Sequence, residues 1–136
     1  MKIAKEFTWE MGHRLPFHEG KCKNLHGHSY KCMIEVTGEP DENGMVLDYY
    51  ELKKITEPIF EKLDHSFMVW NGDKELIEVL TKLNSQMIID FQSTAENICL
   101  YLLNEIKSTK LPSNICRIKV RVFETGNTYA EEEVNV

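Results

Sequence analysis

Apolar and polar positions alternate at the start of the chain: Phe7, Trp9, Met11 and His13 fall on one side, Thr8 and Glu10 on the other. A period of two predicts a half-buried strand over residues 3–13. A second alternation runs over residues 28–37. His28, Tyr30, Cys32, Ile34 and Val36 share a face opposite Ser29, Lys31, Met33 and Glu35. The stretch Gly38-Glu39-Pro40-Asp41-Glu42-Asn43-Gly44 then stops the strand, with Asn43-Gly44 as a turn signal. From Asp48 the period lengthens: Leu52, Ile55, Ile59 and Leu63 have helical spacing, with Pro58 as an expected kink. Residues 73–83 read as a second helix. Ser93-Thr94-Ala95-Glu96 reads as a capping box that opens a third, carried by Ala95, Ile98, Cys99, Leu102 and Ile106. Alternation returns over residues 115–124, with Cys116, Ile118, Val120, Val122 and Glu124 on one face, and a last strand covers about residues 128–134.

The order β-β-α-α-α-β-β predicts an α+β fold, a four-stranded antiparallel sheet with its helices on one face. No linker or repeat interrupts it, so residues 1–136 are expected to form a single domain. An open sheet of four strands leaves two edges to protect. Joining those edges between subunits would close a barrel, and oligomerisation is therefore expected.

Composition narrows the function classes. The chain is 42% hydrophobic and 28% charged, with a net charge of −6. That balance, with no lysine or arginine block, argues against a nucleic-acid or membrane-surface partner. The N-terminal residues lack the apolar core of a secretory signal, and no apolar run approaches the ~20 residues that span a bilayer. A cytoplasmic protein is expected. The four cysteines, Cys22, Cys32, Cys99 and Cys116, form no CxxC pair and read as thiols. Cys32, Cys99 and Cys116 fall on predicted buried faces; Cys22 lies among charged residues in a loop, a setting that suits a reactive thiol.

The candidate chemistry centres on Lys21-Cys22-Lys23-Asn24-Leu25-His26-Gly27-His28 together with His13. His26 and His28 are two apart, so on a strand both imidazoles point to the same side. If the first two strands are neighbours, His13 joins them at one rim of the sheet. Three histidines with an open coordination position are the ligand set of a catalytic zinc ion. Cys22 is either a fourth ligand, closing a structural site, or a base or nucleophile beside the metal. Asp64 and His65 are an adjacent pair in which a carboxylate can steer an imidazole for acid–base work. Glu124 falls at the end of an apolar face and needs a partner: an arginine, or a ligand presenting paired N–H donors. Arg14, Lys21 and Lys23 are candidate phosphate contacts from charge alone.

These elements together resemble one family. The residues are Trp9-x-Met11-Gly12-His13-Arg14-Leu15, Lys21-Cys22-x-x-Leu25-His26-Gly27-His28-x-Tyr30, Gly44-Met45-Val46-Leu47-Asp48, Leu63-Asp64-His65, Ser93-Thr94-Ala95-Glu96-Asn97 and Val122-x-Glu124-Thr125. The chain resembles the 6-pyruvoyltetrahydropterin / 6-carboxytetrahydropterin synthases over about residues 3–134. The resemblance implies the tunnelling fold (β-β-α-α-β-β), with three subunits joining sheets into a barrel and two rings making a homohexamer. It implies Zn2+ on His13, His26 and His28, Cys22 as proton acceptor, Asp64 and His65 as a relay, Glu124 as the pterin anchor and Thr94 as a further pterin contact. The three residues between Cys22 and His26 resemble the carboxy type, which acts in 7-deazapurine (queuosine) synthesis. The implied reaction converts 7,8-dihydroneopterin triphosphate to 6-carboxy-5,6,7,8-tetrahydropterin, acetaldehyde and triphosphate. The alternatives are the pyruvoyl reaction, which stops at triphosphate elimination, and a non-catalytic barrel with a structural zinc. The chain departs from the family pattern at Met11-Gly12, where Ala-Ala is common, at Gln92-Ser93, where Asn-Pro is common, at Gly126-Asn127, where Pro-Thr is frequent, and in a longer stretch over residues 66–92.

Overall fold

The computed structural model describes residues 1–136 as one six-stranded sheet with three helices. The strands are β1 (Lys2–His13), β2 (His26–Gly38), β3 (Ser66–Trp70), β4 (Gln86–Ile89), β5 (Ile115–Thr125) and β6 (Thr128–Asn135). The helices are α1 (Tyr49–Leu63), α2 (Lys74–Leu83) and α3 (Ala95–Lys107), and one 3-10 turn spans Lys21–Lys23. The order across the sheet is β4-β3-β1-β2-β5-β6. β1, β2 and β5 stand where alternation predicts them, β6 covers the last expected strand, and the four are antiparallel neighbours.

The expected four-stranded antiparallel sheet is corrected to a mixed six-stranded one. β3 runs parallel to β1 over Met11–His13, and β4 runs parallel to β3. The extra length of residues 66–92 is thus a β-α-β unit added beside the histidine end of β1. β3 escapes a period-two reading because both its faces are covered, and β4 because it has only four residues, with the apolar Ile88 exposed. Met68 joins the main core, whereas its neighbour Val69 packs with Leu76 and Leu80 of α2 in a separate cluster. Successive strand side chains point to opposite faces. α2 therefore lies on the face opposite α1 and α3, which corrects the placement of all helices on one face.

The main core sits between the sheet and α1 and α3. Trp9 stacks on Tyr30 with centroids 5.1 Å apart, and Phe7 on Phe60 at 4.7 Å. Asp48 caps α1: its Oδ1 accepts from Tyr50 N–H at 2.7 Å. The helix continues through Pro58, which is exposed, so the missing N–H falls on the solvent side. Two local expectations change. Cys116 is exposed, because β5 carries an extra residue there: Gly38 pairs with Ile115 and Thr37 with Arg117, and Ile115 takes the inward place. The cap of α3 is Thr94, which accepts from Asn97 N–H at 3.3 Å, one residue later than the box read from sequence.

Candidate metal centre and flanking pockets

Register brings the three histidines together. In the β1–β2 pair His13 stands opposite His26 and Met11 opposite His28, so all three imidazoles leave the same face. Ring centroids lie 4.6 Å (His13–His26), 5.2 Å (His13–His28) and 5.0 Å (His26–His28) apart, and one ligand nitrogen from each falls within 4.8 Å of the others. Cys22 is not in this group. It lies half-buried in the 3-10 turn, whose Cys22 carbonyl accepts from Leu15 N–H at 2.8 Å and so ties the turn to the segment after His13.

Hydrogen bonds decide which nitrogens are free. His13 Nδ1 lies 2.8 Å from the Ser93 carbonyl, and His26 Nδ1 lies 2.7 Å from the Asn24 carbonyl. A carbonyl only accepts, so each ring carries its N–H on Nδ1 and turns the Nε2 lone pair to the cluster. His13 is fully buried. Its Nε2 then lies 3.2 Å from Glu124 Oε1, and His28 Nε2 lies 3.3 Å from the same oxygen. In the neutral His13 ring this sets two acceptors face to face, a contact that needs positive charge between or on them. A trio of imidazoles, two with their outer N–H groups held by backbone carbonyls, facing a carboxylate, is a donor set suited to a divalent metal ion.

Electrostatics point the same way. Positive charge on the trio, through a hydrogen bond from a protonated His13 first and the charges of His13, His28 and His26 after it, holds the Glu124 carboxyl below the usual range. Burial pushes the His28 imidazole down, which favours the neutral form a metal needs. Burial, reinforced by Glu124, pushes the Tyr30 hydroxyl up, so it stays a neutral donor beside His13, 3.4 Å from Nε2.

Two hollows lie at this end of the sheet, one on each face. One, about 230 Å³, is lined by Leu15, Thr94, Glu124 and Tyr129 among others, so Thr94 and Glu124 share one hollow. The second, about 360 Å³, lies on the opposite face of β1 and β2, lined by Glu10, Gly12, Gly27 and Ser29 with His28 and His65 at its rim. Asp64 Oδ2 lies 2.8 Å from His65 Nδ1, forming the predicted pair. The pair also braces the backbone. Asp64 Oδ1 accepts from Glu10 N–H at 2.8 Å, and His65 N–H donates to the Glu10 carbonyl at 2.7 Å. His65 adopts φ 61°, the left-handed region, to turn the chain from α1 into β3. The Glu10 and His65 contacts, together with the Glu124–histidine contact, were not legible from spacing. Arg14 is engaged elsewhere: its guanidinium grips Asp73 with two bonds of 2.6 Å, which leaves it poorly placed for a phosphate.

Comparison with known proteins agrees with this architecture. The family model described as 6-pyruvoyl tetrahydropterin synthase matches residues 2–135. A Haemophilus influenzae protein named 6-carboxy-5,6,7,8-tetrahydropterin synthase is 34% identical, with 96% of each chain covered. A Rickettsia bellii protein of the same name is 33% identical over 96% of this chain and 99% of its own. Among solved structures, the 6-pyruvoyl tetrahydropterin synthase of Plasmodium vivax superposes with a TM-score of 0.80 over the whole chain and 98% of its own, at 20% identity. That of Caenorhabditis elegans gives 0.72 at 24% identity, covering 98% of this chain and 95% of its own. At these identities the structural likeness speaks to the fold.

Proposed function

The chain belongs to the 6-pyruvoyl tetrahydropterin synthase family, and from that premise we propose that it is a zinc-dependent carbon–carbon lyase of the carboxy type. Its substrate is 7,8-dihydroneopterin triphosphate. Its products are 6-carboxy-5,6,7,8-tetrahydropterin, acetaldehyde and triphosphate, and its place is the cytoplasmic synthesis of 7-deazapurines (queuosine) for tRNA modification. The observation that carries the reading is the facing of His13 Nε2 and the Glu124 carboxylate at 3.2 Å beside two further imidazoles, an arrangement a bound cation satisfies. The carboxy reading draws support from relatives at 33–34% identity that bear that name over nearly their whole length.

His13, His26 and His28 would hold the metal, which when bound lowers the pKa of substrate hydroxyls. Each remaining step belongs to a side chain of this protein. Glu124 receives the paired N–H groups of the pterin in the hollow it shares with Thr94. Cys22, as thiolate, takes the proton from the side-chain carbon next to the ring. His65, oriented by Asp64 at 2.8 Å, moves the second proton. The working form is a homohexamer, two rings of three. Strand parity leaves the N–H and C=O groups of Ala4, Glu6 and Thr8 on the outer edge of β1, beyond the three-residue reach of β3. The sheet's terminal strands are β4 and β6, and the longer β6 offers the second free edge.

The test is incubation of zinc-loaded protein with 7,8-dihydroneopterin triphosphate, followed by acetaldehyde assay and mass spectrometry. Acetaldehyde with the carboxypterin is expected. Triphosphate without acetaldehyde would move the protein to the pyruvoyl reaction. Cys22→Ala should keep stoichiometric zinc and lose turnover; loss of zinc in that variant makes Cys22 a ligand.

A further inference from the structure

Ser93 has no part in the reaction outlined above, yet it is 1% exposed and packed against the most buried histidine. Its hydroxyl oxygen lies 3.1 Å from His13 Nδ1, while its own carbonyl lies 2.8 Å from the same nitrogen. On the other side the hydroxyl lies 3.5 Å from the Arg14 carbonyl. That carbonyl only accepts, so the hydroxyl proton turns towards it and the oxygen lone pairs turn towards His13. The Nδ1–H is therefore bracketed by two acceptors of one residue.

The residue is itself held firmly. Arg14 is clamped by Asp73, Thr94 N–H donates to the Gln92 carbonyl at 2.8 Å, and Thr94 caps α3. The start of α3 is thereby referenced to the His13 ring through Ser93. A single carbonyl holds the N–H but leaves the ring plane free to swing about that contact. A second acceptor on the same nitrogen removes that freedom, and no water reaches the fully buried ring to replace it.

We propose that the Ser93 hydroxyl is a positioning residue for the metal centre: with its own carbonyl it fixes the N–H on His13 Nδ1 and the ring plane, so that Nε2 faces His26 and His28. This rests on the metal reading of the histidine cluster. Outer hydrogen bonds of this kind are worth about 10- to 100-fold in metal affinity. Because the carbonyl survives any substitution at position 93, the hydroxyl alone accounts for the low end, about 10-fold.

The experiment uses the full chain stripped of metal and back-titrated with zinc against a chromophoric chelator, as wild type, Ser93→Ala and Ser93→Thr. Each is melted without metal, and each is loaded with cobalt(II) for its visible spectrum. Ser93→Ala should bind zinc about 10-fold more weakly, with a shifted cobalt band and a metal-free Tm within about 2 °C of wild type. Ser93→Thr, which restores the hydroxyl, should recover most of the affinity. Equal affinities of wild type and Ser93→Ala overturn the proposal. So does a loss of affinity that tracks a lower metal-free Tm and is not recovered by Ser93→Thr, since Ser93 would then act through packing. A wild type that takes up neither metal is a different failure: it overturns the metal reading, and this proposal falls with it.

Discussion

Replacing Arg14 with alanine should destabilise the protein by about 2–3 kcal/mol. Arg14 follows His13 at the end of β1, and Asp73 caps α2, so their pair joins the metal-site strand to the added β-α-β unit. Asp73 is 7% exposed. Without Arg14 its carboxylate keeps one weak contact, with Leu76 N–H at 3.4 Å. Stranding a buried charge costs about 3–5 kcal/mol. The Arg14 side chain is 25% exposed, so water enters its place and trims that figure to about 2–3 kcal/mol. For 136 residues the unfolding entropy is about 0.29 kcal/mol/K, which converts the loss to about 7–10 °C in Tm.

The pH dependence has a definite sign. The Arg14 guanidinium holds the Asp73 carboxyl below its ordinary range. A group whose folded pKa is depressed stabilises above its unfolded pKa, about 3.9 for aspartate, and that contribution fades as pH falls through the folded value. The gap between wild type and Arg14→Ala should therefore be full at neutral pH and close on acidification below about pH 4. Adding Asp73→Asn to Arg14→Ala should recover stability, because asparagine caps a helix as well as aspartate and carries no charge. Urea denaturation at several pH values measures all three. An Arg14→Ala Tm within about 2 °C of wild type, or a double variant less stable than Arg14→Ala, refutes the reasoning.

Thiol labelling of the native protein should modify the exposed Cys116 and the half-buried Cys22 quickly. It should spare Cys32, whose pKa burial pushes up, and Cys99, whose thiol is pushed up to about 11; mass spectrometry counts the adducts before and after denaturation. Gly12→Ala should cost about 1–3 kcal/mol in urea melts, because a Cβ there would sit 2.5 Å from Phe67 Cδ2 and displace the ring. Glu6→Pro removes an edge N–H of β1 without breaking the β1–β2 ladder, so if the proposed hexamer joins subunits along this edge, light scattering should show smaller, folded species.

Legibility in the sequence followed exposure. β1, β2 and β5 each present one face to the core and one outward, so alternation was visible and the histidine cluster followed from register. β3 and β4 are short, and Met68 and Val69 pack into different clusters on opposite faces, so no period survived. The α3 cap shifted by one because Ser93 and Thr94 both suit the position locally, and the contact with His13 settles which of them is free to cap. Cys116 misled because a single extra residue in β5 flips parity from that point to the strand's start. The unusual Met11-Gly12 has a plain cause in the ring of Phe67, which lies against Gly12.

The Asp64–His65 pair joins these threads. The backbone groups of Glu10 are closed by Asp64 and His65, while those of Ala4, Glu6 and Thr8 remain open along the same edge. A strand added there can run only as far as Glu10, where it must end against His65. His65 is 78% exposed at its side chain, and it lines a hollow with His28. An imidazole so exposed, held by a left-handed turn and a carboxylate, has little to do within its own subunit's core. Its position at the stopping point of the open edge is what a relay shared between neighbouring subunits requires, and it ties the proposed assembly to the proposed chemistry: disassembly should silence turnover even where zinc is retained.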